Sequence, residues 1–144
     1  MESTEHKIVI LNYTEYPGPR YCIQGDHSGE DFYHDILNEA FENAVSKGFK
    51  LIIDLDGTAG YASSFLDEAF GNLVYDFSFT VVEPNIVIIS NQEPDWIDMI
   101  KTKVLIDWER RRISNDPPTK TASHHEWYRK INQDYVKKVW LEKQ

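Results

Sequence analysis

The sequence predicts a small α/β protein: a mostly parallel sheet joined by crossover helices, followed by a helical tail. Three observations carry this. Two short apolar runs, Leu51 to Ile53 and Ile86 to Ile89, have the length and β-branched character of buried strands. Two segments, beginning near Phe32 and Phe65, place apolar residues at helical spacing. Strand and helix patterns alternate in this way in βαβ units, and 144 residues support one core.

In order, Lys7 to Asn12 is apolar and β-branched and reads as a first strand. Tyr16-Pro17-Gly18-Pro19 is turn chemistry, and Tyr21 to Gln24 reads as a second strand. Ser28-Gly29-Glu30-Asp31 has capping-box spacing and opens a helix. That helix carries Phe32, Tyr33, Ile36, Leu37, Ala40 and Phe41 on one stripe, and Gly48 ends it. Lys50 to Leu55 is the third strand, predicted to be covered on both faces. A glycine-containing loop, Asp56 to Ala62, leads to a second amphipathic helix from Ser64, and Asn85 to Ser90 is the fourth strand. Beyond residue 92, Trp96, Ile100, Val104 and Trp108 recur at spacing four and predict a helix of about five turns. Pro117-Pro118 interrupts it. A last helix is predicted from about Ser123 to Glu142, with Trp127, Ile131, Tyr135 and Val139 on one face. The chain thus divides into an α/β domain, 1–92, and a C-terminal helical extension packed on it, 93–144.

Composition removes several function classes. The formal net charge is −9 and the pI about 4.9, which disfavours generic nucleic-acid binding because phosphate recognition rests on Lys and Arg. The charge is uneven: residues 1–92 carry 15 acids and four bases, and residues 93–144 carry nine acids and 11 bases. The single cysteine, Cys22, excludes an internal disulfide and a thiolate-rich zinc site. Apolar runs are a few residues long against the roughly 20 a membrane helix needs, and Met1 to Lys7 lacks signal-peptide character. A cytoplasmic protein without membrane contact is expected.

The densest signal is the stretch from Leu51 to Gly71, which sets carboxylates, glycines and serines where a buried strand meets a helix. In an open parallel sheet the carboxyl edge of the strands is where ligands and partners meet the fold. Asp54-Leu55-Asp56-Gly57-Thr58 resembles the first motif of haloacid dehalogenase-type phosphatases, in which the first Asp attacks phosphorus and the second is a general acid. Ser90-Asn91 resembles their second motif. Such enzymes also need a cation and a further acidic pair for magnesium, and no such pair follows on a later strand. The sequence predicts no enzyme, no catalytic residue and no cofactor.

The stretch from Arg20 to about Val74 resembles the STAS-like domain family of bacteria and their phages, a family without a settled activity. The matching pieces are Tyr21 to Asp26, Ser28 to Phe32 and, above all, Asp54 to Gly71. The resemblance implies a STAS-like layer of about four strands with crossover helices. More distantly, the stretch is similar to anti-anti-sigma factors, which carry Asp-Ser-Ser-Gly at a helix start and whose first serine is phosphorylated by a partner kinase. Carried over by position, Ser63 takes the phosphoacceptor place and Ser64 the place beside it. Ala62 replaces the preceding Asp of that pattern and Phe65 the following Gly. By the same analogy the partner is a protein, an ATP-binding regulatory kinase or another signalling protein. The partner-binding loop is then Asp54, Asp56, Gly57, Thr58, Gly60 and Tyr61. Against this stands a simpler role in which Ser63 or Ser64 only caps the helix.

Other clusters carry less. His27 and His34 near Asp26, Glu30 and Asp31 read as a surface ion pair or cap cluster; His124-His125 stands at a helix beginning with Glu126 near it, and no metal is expected at either. Adjacent histidines on a helix point to different sides, which argues against a shared ion. Arg110-Arg111-Arg112 is the one basic run and suits the carboxyl end of its helix, with a secondary docking patch as its functional reading. The expected function is therefore a non-enzymatic protein-interaction module, with assembly state open and a homodimer allowed. The alternatives are an acidic inhibitor of the phage-borne type that mimics nucleic acid or blocks a basic groove, and a magnesium-dependent phosphatase.

Overall fold

The computed structural model describes residues 6–140. Strand β1 (His6–Val9) passes directly into a one-turn helix, α1 (Ile10–Tyr13). The sequence reading carried this strand to Asn12. It stops at Val9 because its neighbour, β2 (Leu51–Asp54), ends in register there, with Val9 abreast of Asp54. The following loop is closed by Gly18 N to His27 O and Gly29 N to Pro19 O, both 2.9 Å. A Cβ on Gly18 would lie 2.1 Å from the Asp26 carbonyl oxygen, so only glycine fits.

The expected strand at Tyr21 to Gln24 does not form. Cys22–Gln24 is a 3-10 turn in which Tyr21 N donates to the Gln24 side chain and Gln24 N to the Tyr21 carbonyl. The segment satisfies its own backbone and offers no ladder. Among the described residues the sheet consequently has three strands where about four were expected: β1, β2 and β3 (Ile86–Ile89), all parallel, in the order β1-β2-β3.

Helix α2 (29–46) connects β1 to β2. Ser28 Oγ caps it by accepting from Asp31 N at 3.0 Å, while the Asp31 carboxylate accepts from the Cys22 thiol at 3.1 Å. The helix widens into a π-turn at Tyr33–Leu37, and Gly48, at φ 81°, follows its end. Helix α3 (Ser63–Phe77) connects β2 to β3, with a short α4 (Phe79–Val82) after it. Ile8, Ile53 and Ile88 stand abreast on the buried face of the sheet; Lys7, Ile52 and Val87 stand abreast on the other, where Val87 is exposed. The apolar runs suggested cover on both faces, but the helices bury one.

Helix α5 (95–113) realises the predicted tryptophan helix, with a π-turn at Ile100–Val104, and lies along α3. The predicted final helix is overturned. After an irregular stretch, β4 (Trp127–Ile131) and β5 (Asp134–Lys138) form an antiparallel hairpin with Ile131 opposite Asp134. Its two-residue turn begins at Asn132, φ 58°. Trp, Tyr, Ile and Val suit strands as well as a helical stripe, and Asn38 decides between them. Its side-chain oxygen accepts from Tyr128 N and its amide donates to Tyr128 O, acting as one rung of a ladder. The residues predicted on one helical face do not share burial: Trp127 is buried, Ile131 and Val139 exposed. Glu142 lies outside the described residues. One apolar core runs from Ile8 to Trp127. Among the described residues no helix is long and apolar enough to cross a membrane.

Candidate functional site

The loop after β2 stands at the carboxyl edge of the sheet, and its carboxylates organise backbone. Asp54 Oδ1 accepts from Asp56 N at 2.9 Å. Asp56 accepts from Gln92 N at 2.9 Å, Asn91 N at 3.1 Å and the Asn91 side chain at 3.0 Å, which ties this loop to the one after β3. Those hydrogen bonds, the Gln92 backbone first, hold the Asp56 carboxyl below the usual range. Gly57 N donates to Gln92 Oε1 at 2.8 Å, and a Cβ there would meet Leu11 at 2.9 Å with φ at 93°. Thr58 Oγ1 accepts from Gly60 N at 3.3 Å. Tyr61 donates to the Leu55 carbonyl at 2.7 Å; burial, with Asp54 and Asp56 nearby, pushes its phenol up to about 12. Ser90 Oγ donates to Glu93 O at 2.6 Å. The segment is a hydrogen-bonded platform beside a cavity of about 230 Å³ that reaches Trp96.

Ser63 opens α3 and is exposed; Ser64 beside it is half-buried. Neither caps the helix: the N-cap position is Ala62, with no side-chain bond to the free amides. Ser63 lines a second cavity, about 250 Å³, together with Arg20, Asp67, Met99 and Lys103. Arg20 bridges Asp67 at 2.5 Å and Glu68 at 3.2 Å, and Lys103 pairs with Asp107 at 3.1 Å. Sequence reading did not connect Arg20 or Lys103 with Ser63, since they lie on the loop before α2 and on α5. The structure brings Asp54, Asp56, Gly57, Thr58, Gly60 and Tyr61 into one loop, with Ser63 just beyond it.

The arginine run lies apart from this loop. Arg112 is held by Glu109 at 2.6 Å, and Arg111 donates to Asp116 O and Pro117 O while stacking over Trp108. Arg110 is exposed, 3.7 Å from Asp107. Two of the three therefore serve the end of α5.

A second polar assembly was not anticipated as one unit. Glu30, read above as a surface or capping residue, is fully buried, as is His34. Glu30 Oε2 meets His124 Nε2 at 2.6 Å and Thr121 N at 2.9 Å, while Oε1 accepts from the Thr121 hydroxyl at 2.6 Å and Cys22 N at 3.1 Å. Burial pushes its carboxyl up, but those bonds outweigh it and hold it at about 2. His124 is in an irregular segment, so the helical argument about His124-His125 does not apply; His125 instead lies 3.9 Å from Asp35. His27 is exposed, edge-on to Tyr13. Farther along α3, Lys120 donates to Asn72 at 2.9 Å and Arg129 to Asp76 at 2.8 Å, with Tyr33 on the other Asp76 oxygen. One signal was present in the sequence: Glu68, Asn72 and Asp76 form a polar file at spacing four within a helix otherwise rich in apolar residues.

Comparison with protein families matches residues 28–96 to the family described as a STAS-like domain of unknown function (DUF4325). Comparison with curated proteins and with solved structures gives no significant match. The family match begins at the Ser28 cap, so Tyr21 to Asp26 falls outside it, and it continues past Val74 through β3 to Trp96. Most of the parallel α/β arrangement and the whole loop after β2 lie within that span, and over residues 28–96 the chain is similar to the STAS-like domains.

Proposed function

We propose that the chain is a non-enzymatic, cytoplasmic protein-interaction module whose partner surface is the loop 54–64 and the first turn of α3, with Ser63 as phosphoacceptor and Ser64 beside it. The observation that carries this reading is the Ser63 hydroxyl: exposed, outside the helix cap, at the amino end of a 15-residue helix and in one cavity with Arg20 and Lys103. Free amides and the positive helix end favour a phosphate, and two cations stand within the same cavity. A phosphate at Ser63 adds roughly −1.5 to −2 charges and competes with Asp67 for Arg20. The partner, by analogy with anti-anti-sigma factors, is an ATP-binding kinase or another signalling protein. The test is affinity capture from the native cell with wild type, Ser63→Ala and Ser63→Asp, with phosphopeptide mapping of the recovered chain. Phosphate at Ser63 and capture that differs between Ala and Asp support the switch; no phosphate and equal capture remove it.

What speaks against the phosphatase alternative is Asp56: its carboxylate accepts from Asn91 and Gln92, and those bonds favour the charged form over the protonated one a general acid uses. Magnesium-dependent hydrolysis of an aryl phosphate, lost in Asp54→Asn, would support it. For the acidic inhibitor, Glu30, Glu68 and Asp76 are turned inward and are unavailable to a basic groove; steeply salt-sensitive binding to a basic target is its test.

A further inference from the structure

We propose that Cys22, Glu30 and His124 hold a zinc ion that staples the tail to the STAS-like domain. The three residues come from the 3-10 turn, the first turn of α2 and the irregular segment before β4, and their donor atoms lie within 4.8 Å of one another. A thiol, an imidazole and a carboxylate together form a donor set that suits zinc, whereas calcium and magnesium take oxygen ligands. Asp31 Oδ1 accepts from the Cys22 thiol at 3.1 Å, which adds a second carboxylate beside the sulfur. Glu30 is fully buried and the His124 side chain is 5% exposed, while Cys22 is half-buried and gives an ion its way in.

A second observation points the same way. His34 is 1% exposed, both its ring nitrogens lack a partner among the described residues, and it stacks on His124 with ring centroids 3.8 Å apart and planes 12° apart. The ring of a ligating His124 is thus already fixed in orientation, flanked also by Trp127. The cluster sets two carboxylates and a thiol against one imidazole, an imbalance that a dication neutralises. On binding, the Cys22 thiol loses its proton to solvent and sulfur binds as thiolate. His124 exchanges its hydrogen bond to Glu30 for a nitrogen-to-metal bond, with any displaced proton also leaving to solvent. Sequence spacing did not suggest this site, because His124 lies 94 residues from Glu30.

The proposal is independent of the role of Ser63. Its test uses the full chain, stripped of metal and titrated with zinc by calorimetry and with cobalt(II) by absorption. One equivalent per chain is expected, with a thiolate-to-cobalt charge-transfer band and a zinc-induced rise in Tm. Cys22→Ser should lose the band and the Tm rise, and His124→Gln the Tm rise. Cys22 is the only cysteine, so the band can have no other origin. Histidines elsewhere could bind cobalt without producing it. Absence of the band in folded wild type, checked by far-UV circular dichroism, overturns the proposal even if a variant fails to fold, as does a zinc-induced Tm rise that persists in Cys22→Ser.

Discussion

His34 shows how much one buried side chain sets. Burial, then Lys120, His124 and His125, drive its imidazole well below the ordinary histidine value of 6.5, so the neutral ring is the folded form. The stability it contributes is complete above pH 6.5 and declines as pH falls, because the unfolded chain takes up the proton first. Its unpartnered nitrogens carry a desolvation penalty of about 1–3 kcal/mol. His34→Phe keeps a ring against His124 and removes that penalty. Urea unfolding should show the variant about 1 kcal/mol more stable at pH 7 and further ahead at pH 5; parallel pH profiles would sink this account. Gly71 is the converse case, defined by what is missing. A Cβ there would lie 2.0 Å from the Trp108 ring, so Gly71→Ala forces α5 away from α3. A loss of about 1–3 kcal/mol is expected in chemical denaturation, with partial recovery when Trp108→Leu is added. Nothing in the spacing of the sequence marks this position, since the ring that excludes a methyl group comes from a helix 37 positions later.

Among the elements, those defined by local chemistry were legible and those defined by a partner were not. The Ser28 cap, the strand at Leu51 and the tryptophan helix each follow from residues within a few positions of one another. The terminal segment does not. Trp127, Ile131, Tyr135 and Val139 satisfy a helical period, yet the chain is a hairpin because Asn38 pairs with the Tyr128 backbone and Asn132 takes the left-handed turn. Asn132→Gly should preserve stability, while Asn132→Val should cost about 1–2 kcal/mol, read from thermal unfolding. Equal behaviour of the two variants would mean that the turn does not hold the hairpin. The loop after β2 was legible for a related reason: its glycines, carboxylates and serines are contiguous. The cations that share a cavity with Ser63 were not, because Arg20 and Lys103 reach it from separate elements.

Across the whole molecule, the uneven charge of the sequence becomes a set of buried contacts. Glu30, Glu68 and Asp76 lie on the face of α2 and α3 covered by residues 117–140. His124 and Arg129 of that segment meet Glu30 and Asp76, and Lys120 bonds Asn72 beside Glu68. Arg129→Ala leaves Asp76 buried without its cation and should destabilise the chain by about 3–5 kcal/mol. Asp76→Asn combined with Arg129→Met should recover much of that in equilibrium unfolding, because neither group is then charged. The sequence alone determined the α/β class, the STAS-like segment, the glycine-containing loop after β2 and the excess of acid in one half and base in the other, since each depends on residue type and short-range spacing. Tertiary structure decided that three strands of the described residues form the sheet, that residues 127–138 form a hairpin, and that Cys22, Glu30 and His124 meet. Those outcomes depend on backbone groups and charges finding partners tens of residues away, and periodicity carries no information about such partners.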